Sequence, residues 1–303
     1  MNAACGPRQR VLVLLGPTAS GKSALAVDLA SCFDAEIVGA DSRQIYRDMP
    51  IGTAAPTAQQ RGAVVHHLVA FLDPRERYSA ARYAQDATAA VAALSARGKR
   101  AIVVGGTGFY VRAFLGRVAL AGSYDRAVRE RLAREATLHD AAFLHAWLCA
   151  HDRARAAALD PHDTYRVLRA LEVALAGPNS GRVAALPTLA TLGMDAVQIA
   201  LDLPISEIDA RIERRVDAML AAGFLDEADA LAGDAVAADA VGYPQAIAYL
   251  RGWSSEAELR LGLVRATRRY ARRQLTWLRG EEGVLWLAPD AVHAAAKDIL
   301  GWA

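Results

Sequence analysis

Short apolar runs recur along the chain, and the stretches between them alternate apolar and polar residues with a helical period. The runs that we interpret as strands cover residues 11–15, 36–40, 101–104, 197–201 and 284–287. Continuous apolar strands that alternate with helices are typical of βαβ units. The pattern therefore predicts an α/β fold in which helices flank a parallel sheet.

The clearest helical period covers residues 80–96, where Ser79 is placed to cap the first turn and Gly98 to end the helix. Residues 123–191 differ from the rest because they lack strand signals and are dense in Ala, Arg, Glu and Leu. We interpret them as a small all-helical insertion. The predicted domains are a core, residues 1–122 and 192–303, and the insertion, residues 123–191.

A phosphate-binding loop follows the first predicted strand. Residues 16–23 read Gly-Pro-Thr-Ala-Ser-Gly-Lys-Ser and complete the pattern G-x-x-x-x-G-K-S. The glycines let backbone N–H groups turn inward, Lys22 reaches the terminal phosphates, and the Ser23 hydroxyl completes a Mg²⁺ shell as a helix over 24–30 begins. A chance glycine-rich turn is disfavoured by the flanking strand and helix. Loops of this kind bind ATP in other proteins. The residues predicted to bind a diphosphate or triphosphate are Gly16, Pro17, Thr18, Ala19, Ser20, Gly21, Lys22 and Ser23.

Composition limits the class of protein. The chain has 303 residues, of which 53% are hydrophobic, and this length is enough for a large core. No apolar stretch approaches the roughly 18 residues of a membrane span, and residues 1–10 are too short and polar for a signal peptide, so we expect a cytoplasmic protein. Cys5, Cys32 and Cys149 lack C-x-x-C spacing, which indicates neither a disulfide framework nor a zinc site. The net charge of +2 means that a nucleic-acid surface requires local clusters of charge.

Polar residues follow two of the predicted strands at the sheet edge where ligands bind in α/β proteins. After the second strand the chain reads Gly-Ala-Asp-Ser-Arg-Gln-Ile-Tyr over residues 39–46, and Asp41 can bind Mg²⁺ through water, accept a proton or cap the next turn. After the strand at 101–104, residues 105–110 read Gly-Gly-Thr-Gly-Phe-Tyr. Thr107 is expected in the same crevice as the phosphate loop, although a tight turn that requires glycine is the alternative.

Arginine clusters are the candidate RNA surface. Residues 265–279 contain six arginines and no acidic residue, and Tyr270 and Trp277 lie among them. Positive charge without compensating acids favours RNA contact over a solvated helix face. Arg211 and Arg215, by contrast, have Glu213 and Asp217 nearby and are typical of a solvated face.

Taken together, these strings resemble the tRNA dimethylallyltransferases, also called tRNA isopentenyltransferases, of bacterial type. The resemblance covers about residues 11–286. It rests on the phosphate loop and the strings at 41–46 and 105–110, and on further strings at 51–54, 66–68, 78–80, 241–243 and 273–279. No Cys/His zinc module of the eukaryotic kind follows Trp286. The common order and spacing of these strings make the match specific.

The resemblance implies transfer of a dimethylallyl group from dimethylallyl diphosphate to the exocyclic N6 amine of the adenosine immediately 3′ of the anticodon. Asp41 would be the general base, Thr107 would contact the flipped adenosine, and Arg215, with Arg211 beside it, would reach the diphosphate. Mg²⁺ would lie near Ser23, and the enzyme is expected to act as a monomer. The residues predicted to bind tRNA, from the resemblance and from the basic stretches that contain Arg166, Arg169, Arg268 and Arg272, are Asp41, Ser42, Arg43, Gln44, Thr107, Arg129, Tyr165, Arg166, Arg169, Val241, Gly242, Tyr243, Arg268 and Arg272.

Two departures from the family pattern concern RNA contacts. Ala55 stands where a lysine is usual, and Pro244 stands where a basic residue is usual. His66 and His67 resemble a family pair and, lacking a third ligand, are expected to form hydrogen bonds rather than to bind metal. Two other classes stay open. A small-molecule kinase would share the loop, but it would also carry an apolar strand that ends in an acidic metal ligand, and this sequence lacks that strand. An RNA-binding NTPase would not need Asp41.

Overall fold

The computed structural model describes residues 9–118, 120, 126–176, 186–231 and 235–302. Among them lies one six-stranded sheet with the order β3-β2-β4-β1-β5-β6, in which every neighbouring pair is parallel. The strands are β1 Arg10–Leu15, β2 Ala35–Gly39, β3 His66–His67, β4 Arg100–Gly105, β5 Asp195–Leu201 and β6 Val284–Leu287. The predicted α/β class is confirmed.

Helices connect these strands and cover the sheet, as parallel strands require. The helices are α1 Lys22–Cys32, α2 Pro50–Thr53, α3 Ala58–Ala63, α4 Ala80–Ala96, α5 Gly108–Phe114, α6 Arg126–Leu138, α7 Ala141–His151, α8 Arg153–Ala157, α9 Thr164–Leu175, α10 Ile205–Ala221, α11 Phe224–Ala230, α12 Tyr243–Leu250, α13 Glu256–Arg279 and α14 Val292–Leu300. Short 3₁₀ turns lie at Leu189–Leu192, Val236–Asp239 and Pro289–Ala291. Among the described helices, none is both long and apolar enough to cross a membrane.

The four inner strands, β2, β4, β1 and β5, are largely buried because they carry mainly apolar side chains on both faces. In β1, Leu12 and Leu14 pack into one hydrophobic cluster with Leu29 of α1 and Val292 of α14. A second cluster joins α10, α11, α12 and α13 and is built on residues such as Ile212. Burial of this kind contributes about 25 cal/mol per Å² of apolar surface removed from water, which makes the sheet a rigid support for the loops at its edge.

The helix predicted over residues 80–96 is α4, with the predicted limits. The Ser79 hydroxyl accepts a hydrogen bond from the Arg82 N–H at 3.1 Å, and Gly98 adopts a φ of +71° just after the helix. Strand β3 was not predicted because two residues carry no periodic signal. It exists because His66 pairs with Ile37 of β2.

Contacts between residues divide the chain into two compact units, Met1–Val118 with Pro187–Ala303, and Ala119–Leu186. The predicted limits of the insertion, 123 and 191, differ from this division by a few residues. Residues near 189 belong with the sheet, since Leu189 is buried and the Pro187 carbonyl accepts a hydrogen bond from Thr88. In the described part of the second unit every element is a helix, packed around a core of Leu132, Leu144, Leu148, Ala156, Val167 and Leu171.

Candidate active site

The phosphate loop joins β1 to α1 and has the backbone conformation that phosphate binding requires. Gly21 has a φ of +88° and Ala19 a φ of +64°, both in the left-handed region. A Cβ atom on Gly16 would lie 2.7 Å from the Ser20 Oγ, so a larger residue there would require the Ser20 side chain to shift. Lys22, at the first position of α1, donates from Nζ to the Pro17 carbonyl at 3.2 Å and thus spans the loop.

A cavity of about 570 Å³ opens beside this loop. Its wall includes Lys22 and Ser23 of the loop. It also includes residues that follow β2, residues of α10 and residues of the turn before α12. Most of the predicted diphosphate and tRNA ligands within the first unit therefore meet in one space. The predicted residues on the wall are Thr18, Ala19, Gly21, Lys22, Ser23, Asp41, Ser42, Arg43, Gln44, Arg211, Arg215, Val241 and Gly242.

Two arginines of α10 lie against the phosphate loop. Arg215 donates from Nη1 to the Thr18 Oγ1 at 2.9 Å, and Arg211 donates from Nη1 to the Ser20 carbonyl at 3.2 Å. The Arg215 Nε is buried and has no hydrogen-bond partner among the described residues. These contacts exclude a purely solvated face for Arg211 and Arg215. The charge pattern of the sequence alone favoured a solvated face, which was wrong. The family resemblance favoured a position at the diphosphate site.

The charges at the loop alter one another's protonation. Burial lowers the pKa of Lys22 to about 8, with Arg215 acting in the same direction and Asp41 opposing it. Burial also lowers the pKa of Arg215, and again Asp41 opposes the shift. Buried cations that repel one another are stabilised when an anion binds. The loop is therefore arranged to receive a polyanion such as a diphosphate.

Asp41 lines the same cavity as these cations, and its local hydrogen bonds use one carboxylate oxygen. Oδ1 accepts from the Arg43 N–H at 2.9 Å and from the Gln44 N–H at 3.4 Å. The capping role considered from the sequence is thus real. It involves Oδ1 in both bonds, and the second oxygen, Oδ2, takes part in neither. Capping and a reactive role are compatible in this geometry.

The Thr107 side chain contacts Ser42. Its Oγ1 accepts from the Ser42 N–H at 3.0 Å and is 3.3 Å from the Ser42 Oγ. Among the described residues, Thr107 is not part of the cavity wall. Contact between Thr107 and an adenosine stays a prediction, whereas its contact with the segment that carries Asp41 is observed.

Gln274 of α13 links two loops of the site, and sequence reasoning did not single it out. Its Oε1 accepts from the Thr18 N–H at 2.7 Å, and its Nε2 donates to the Gly106 carbonyl at 3.0 Å. The side chain is 3% exposed. One signal for Gln274 was available in the sequence. Residues that recur every three or four positions along α13 form a ridge, and one of them carries an amide side chain. The residues of that ridge on the cavity wall are Leu263, Thr267, Tyr270 and Gln274.

Three residues predicted to bind tRNA make side-chain contacts with acidic residues of the protein. Tyr243 is fully buried and donates from its hydroxyl to Glu227 Oε1 at 2.6 Å, so a tRNA contact through this side chain is contradicted. Arg268 is 3.2 Å from Asp209, and Arg272 is 3.3 Å from the same carboxylate. For Arg268 and Arg272 the expectation of uncompensated charge was wrong, because α10 supplies Asp209 and Glu213.

The second unit holds the remaining predicted tRNA ligands. Tyr165 is 81% exposed and Arg166 is exposed beside it. Arg129 and Arg169 both contact the buried Glu172 at 2.9 Å and 2.8 Å. Their ion pairs with Glu172 stabilise the helical unit, so a contact of Arg129 or Arg169 with tRNA is a prediction additional to an observed structural role.

The two histidines and the two departures from the family pattern also have defined places. His67 Nε2 is 2.7 Å from Glu36 Oε2, and His66 Nδ1 is 2.8 Å from the Val64 carbonyl. Both rings are therefore in hydrogen bonds, as expected. Ala55 lies on the cavity wall, and Pro244 is exposed near the start of α12.

Comparison with known proteins decides the family. The family model described as IPP transferase matches residues 44–281. The chain belongs to the IPP transferase family. Among curated IPP transferase relatives, it is 46% identical to the tRNA dimethylallyltransferase of Anaeromyxobacter sp. strain K, covering 96% of this chain and 97% of that protein. It is 44% identical to the tRNA dimethylallyltransferase of Acidothermus cellulolyticus, covering 97% and 94%.

Solved structures agree with this IPP transferase assignment. The full-length tRNA isopentenylpyrophosphate transferase of Bacillus halodurans matches with a TM-score of 0.70 and 33% identity, over 97% of both chains. A eukaryotic dimethylallyltransferase acting on tRNA matches with a TM-score of 0.72 and 24% identity, over 96% of this chain and 76% of that one. At that identity the second match bears on the fold alone. The resemblance identified from the sequence is confirmed.

Proposed function

We propose that this IPP transferase moves a dimethylallyl group from dimethylallyl diphosphate to tRNA, at N6 of the adenosine immediately 3′ of the anticodon. The observation that carries the proposal is the buried, unpartnered Arg215 Nε beside the phosphate loop, with Asp41 on the same cavity wall. The cations beside the loop favour a bound anion, and a carboxylate that can act as a base lies on the same cavity wall. The curated relatives named tRNA dimethylallyltransferase support this substrate pair.

At the diphosphate end, the chain's own groups stabilise the leaving group. As the bond between the dimethylallyl C1 and the diphosphate oxygen breaks, negative charge grows on that oxygen. Lys22, Arg215 and the inward N–H groups of the loop face this charge in a partly dehydrated site. The Ser23 hydroxyl lies on the same wall and would hold a Mg²⁺ ion there. When bound, that ion would add to the neutralisation of the diphosphate.

At the acceptor end, Asp41 takes part in proton transfer. The N6 lone pair forms the new bond to C1, and the proton that N6 loses passes to the Asp41 carboxylate, with diphosphate as the second product. Because Oδ1 is engaged by the Arg43 and Gln44 N–H groups, Oδ2 is the oxygen assigned to this step. General bases of this kind contribute about 10²- to 10⁴-fold to the rate. The adenine must leave its stack to reach the cavity, as for other enzymes that modify bases.

The cavity also has an apolar end that suits the dimethylallyl group. Val216, Met219 and Leu263 lie on its wall. Met219 is one helical turn, about 6 Å, beyond Arg215 on α10, a length comparable to that of a five-carbon chain. The donor would thus lie along α10 with its charged and apolar ends matched. A tRNA substrate supports a cytoplasmic location, and a monomeric enzyme remains part of the proposal.

The decisive experiment follows label from donor to product. The protein is incubated with bulk tRNA and either dimethylallyl diphosphate labelled in the prenyl group or ATP labelled in the γ-phosphate. We expect label in tRNA from the first donor alone, and none when a tRNA with guanosine at the target position replaces the natural one. Transfer of phosphate from ATP to a small acceptor would instead establish a kinase and overturn the proposal.

A further inference from the structure

Glu227 of α11 joins two segments of the cavity wall that lie far apart in the chain. Its Oε2 accepts from the Ile51 N–H at 2.7 Å, and its Oε1 accepts from the Gly52 N–H at 2.7 Å and from the Tyr243 hydroxyl at 2.6 Å. Hydrogen bonds to a carboxylate are stronger than those between neutral groups, and these three are at the short end of the usual range. One side chain therefore fixes the start of α2 to the start of α12.

Gly52 lies against two buried rings at this junction. A Cβ atom on residue 52 would lie 2.5 Å from the Phe224 ring and 2.5 Å from the Tyr243 hydroxyl, so a side chain there would require both rings to shift. The rings cross edge to face with their centroids 5.1 Å apart. Burial, and then the hydrogen bond to Glu227, raise the pKa of Tyr243. The phenol therefore stays protonated and donates to Glu227.

The loop that Glu227 holds is bound in turn to Gln44. The Gln44 Nε2 donates to the Thr53 carbonyl at 3.1 Å and to the Ala54 carbonyl at 3.0 Å. The Gln44 N–H donates to Asp41 Oδ1 at 3.4 Å. Because α2 is only four residues long, its two ends move together. Contacts thus run without a break from Glu227 through α2 to the segment that carries Asp41.

The segments joined in this way line one part of the cavity, formed by residues 44, 52–54, 241 and 242 and called here the acceptor wall. Neither Glu227 nor Tyr243 is among the described residues on the cavity wall. The strings at 51–54 and 241–243, which carried part of the family resemblance, therefore meet at one carboxylate that sequence reasoning did not single out.

We propose that Glu227 is a positioning residue for the tRNA side of the transfer reaction, which acts through α2 and Tyr243 to hold the acceptor wall in the geometry that receives the adenosine. This inference rests on the proposed function, in which tRNA is the acceptor. The phosphate loop is held by other groups, namely Arg211, Arg215 and Gln274, so the role is separate from donor binding. A hydrogen-bonded support of this kind limits the motion of residues that contact a substrate.

Two conservative variants test the proposal. Glu227→Gln keeps the size of the side chain but replaces one acceptor oxygen by an amide group, and Tyr243→Phe removes only the hydroxyl. For each variant, kcat and KM are measured with tRNA varied at saturating donor and with donor varied at saturating tRNA. We expect Glu227→Gln to lower kcat/KM for tRNA about tenfold and Tyr243→Phe about threefold, with donor KM within about twofold of the wild type.

A third variant controls for general loss of stability. Leu259 is buried in the same hydrophobic cluster as Tyr243 and is not among the described residues on the cavity wall. Leu259→Ala should therefore lower the temperature of thermal unfolding and leave both KM values unchanged where the protein is folded. If Glu227→Gln does not fold, Tyr243→Phe alone decides the test.

Three outcomes would overturn the inference while the proposed function stands. They are wild-type kinetics in both Glu227→Gln and Tyr243→Phe, a rise in donor KM that matches the loss of kcat/KM for tRNA, and an equal loss of kcat/KM for tRNA in Leu259→Ala. If the wild type itself transfers no prenyl group to tRNA, the proposed function fails and takes this inference with it.

Discussion

Arg215 and Thr18 are 197 positions apart in the chain, yet the Arg215 Nη1 donates to the Thr18 Oγ1 at 2.9 Å. The contact brings α10 to the phosphate loop and leaves the Arg215 Nε buried with no partner among the described residues. A buried N–H that makes no hydrogen bond is costly, and a diphosphate oxygen would satisfy it. The site is therefore preorganised for an anion that the protein alone does not supply.

Replacement of Arg215 should damage the donor end of the reaction selectively. Arg215→Ala is expected to raise the apparent KM for dimethylallyl diphosphate and to lower kcat by about 10²-fold, because charge grows on the leaving oxygen in the transition state. Arg215→Lys should recover little, since an ammonium does not reproduce the planar fork. Steady-state kinetics with varied donor measure both constants. Arg214→Ala, an exposed neighbour on α10, is the matched control, and an equal loss in both variants would contradict the assignment.

Asp41→Asn separates the capping role from proton transfer. The Asn side-chain oxygen can still accept from the Arg43 and Gln44 N–H groups, so the loop should keep its shape. Turnover should fall by about 10²-fold or more, because the amide does not accept the N6 proton, while tRNA affinity changes little. Single-turnover assays and tRNA binding measure the two effects. Asp48→Asn, an exposed position in the same segment, serves as control. Normal turnover in Asp41→Asn would leave Asp41 as a cap only.

Local sequence signals located the loops of the site correctly. The phosphate loop and the segments after β2 and β4 are each specified by a few consecutive residues beside an apolar strand. Parallel strands bring their carboxyl ends to one edge, so the proximity of Asp41 to the loop follows from topology. Glycine gave further local information, since Gly21 has a φ of +88°, which L side chains rarely adopt.

Long-range packing was not accessible in the same way. The acids that pair with Arg268 and Arg272 lie on α10, about sixty positions earlier in the chain, and only the packing of α10 on α13 brings them together. Tyr243 looked like part of a functional string, but its ring fills the space above Gly52, where a Cβ would lie 2.5 Å from the Tyr243 hydroxyl. Which face of a helix lines a cavity depends on the helix that packs against it, and a single sequence does not show which helix that is.

Glu36 should make stability depend on acid pH. Its buried carboxylate contacts His67 at 2.7 Å and Arg97 at 3.0 Å; burial alone would raise the pKa of Glu36, but these hydrogen bonds outweigh it and lower the pKa. A lowered folded-state pKa stabilises the protein above the unfolded-state pKa, and the contribution disappears as pH falls through the folded value. Glu36→Gln should therefore cost about 2 kcal/mol near pH 7 and progressively less below pH 4.

Urea unfolding of wild type and Glu36→Gln across pH 3–7 measures that dependence. Glu282→Gln, at an exposed position, is the control and should follow the wild-type curve. A cost for Glu36→Gln that stays constant down to pH 3 would show that packing, and not the charge, is responsible.

Adjacent arginines on α13 should differ in their effect on tRNA binding. Arg273 lies on the cavity wall with its guanidinium 5.7 Å from the centre of the Tyr270 ring, whereas Arg272 pairs with Asp209 at 3.3 Å. An anticodon loop that delivers its adenine to this cavity must bring phosphates near Arg273. Each single-strand phosphate contact contributes a slope of about −0.7 to log affinity against log salt. Arg273→Ala should thus weaken tRNA binding and flatten the slope by about that amount, while Arg272→Ala, with its charge already compensated, should leave the slope unchanged.

Binding titrations over a salt series compare the two variants directly. A flatter slope for Arg272→Ala alone would mean that tRNA displaces Asp209 from the ion pair and that the RNA surface runs along α10 rather than across the cavity mouth.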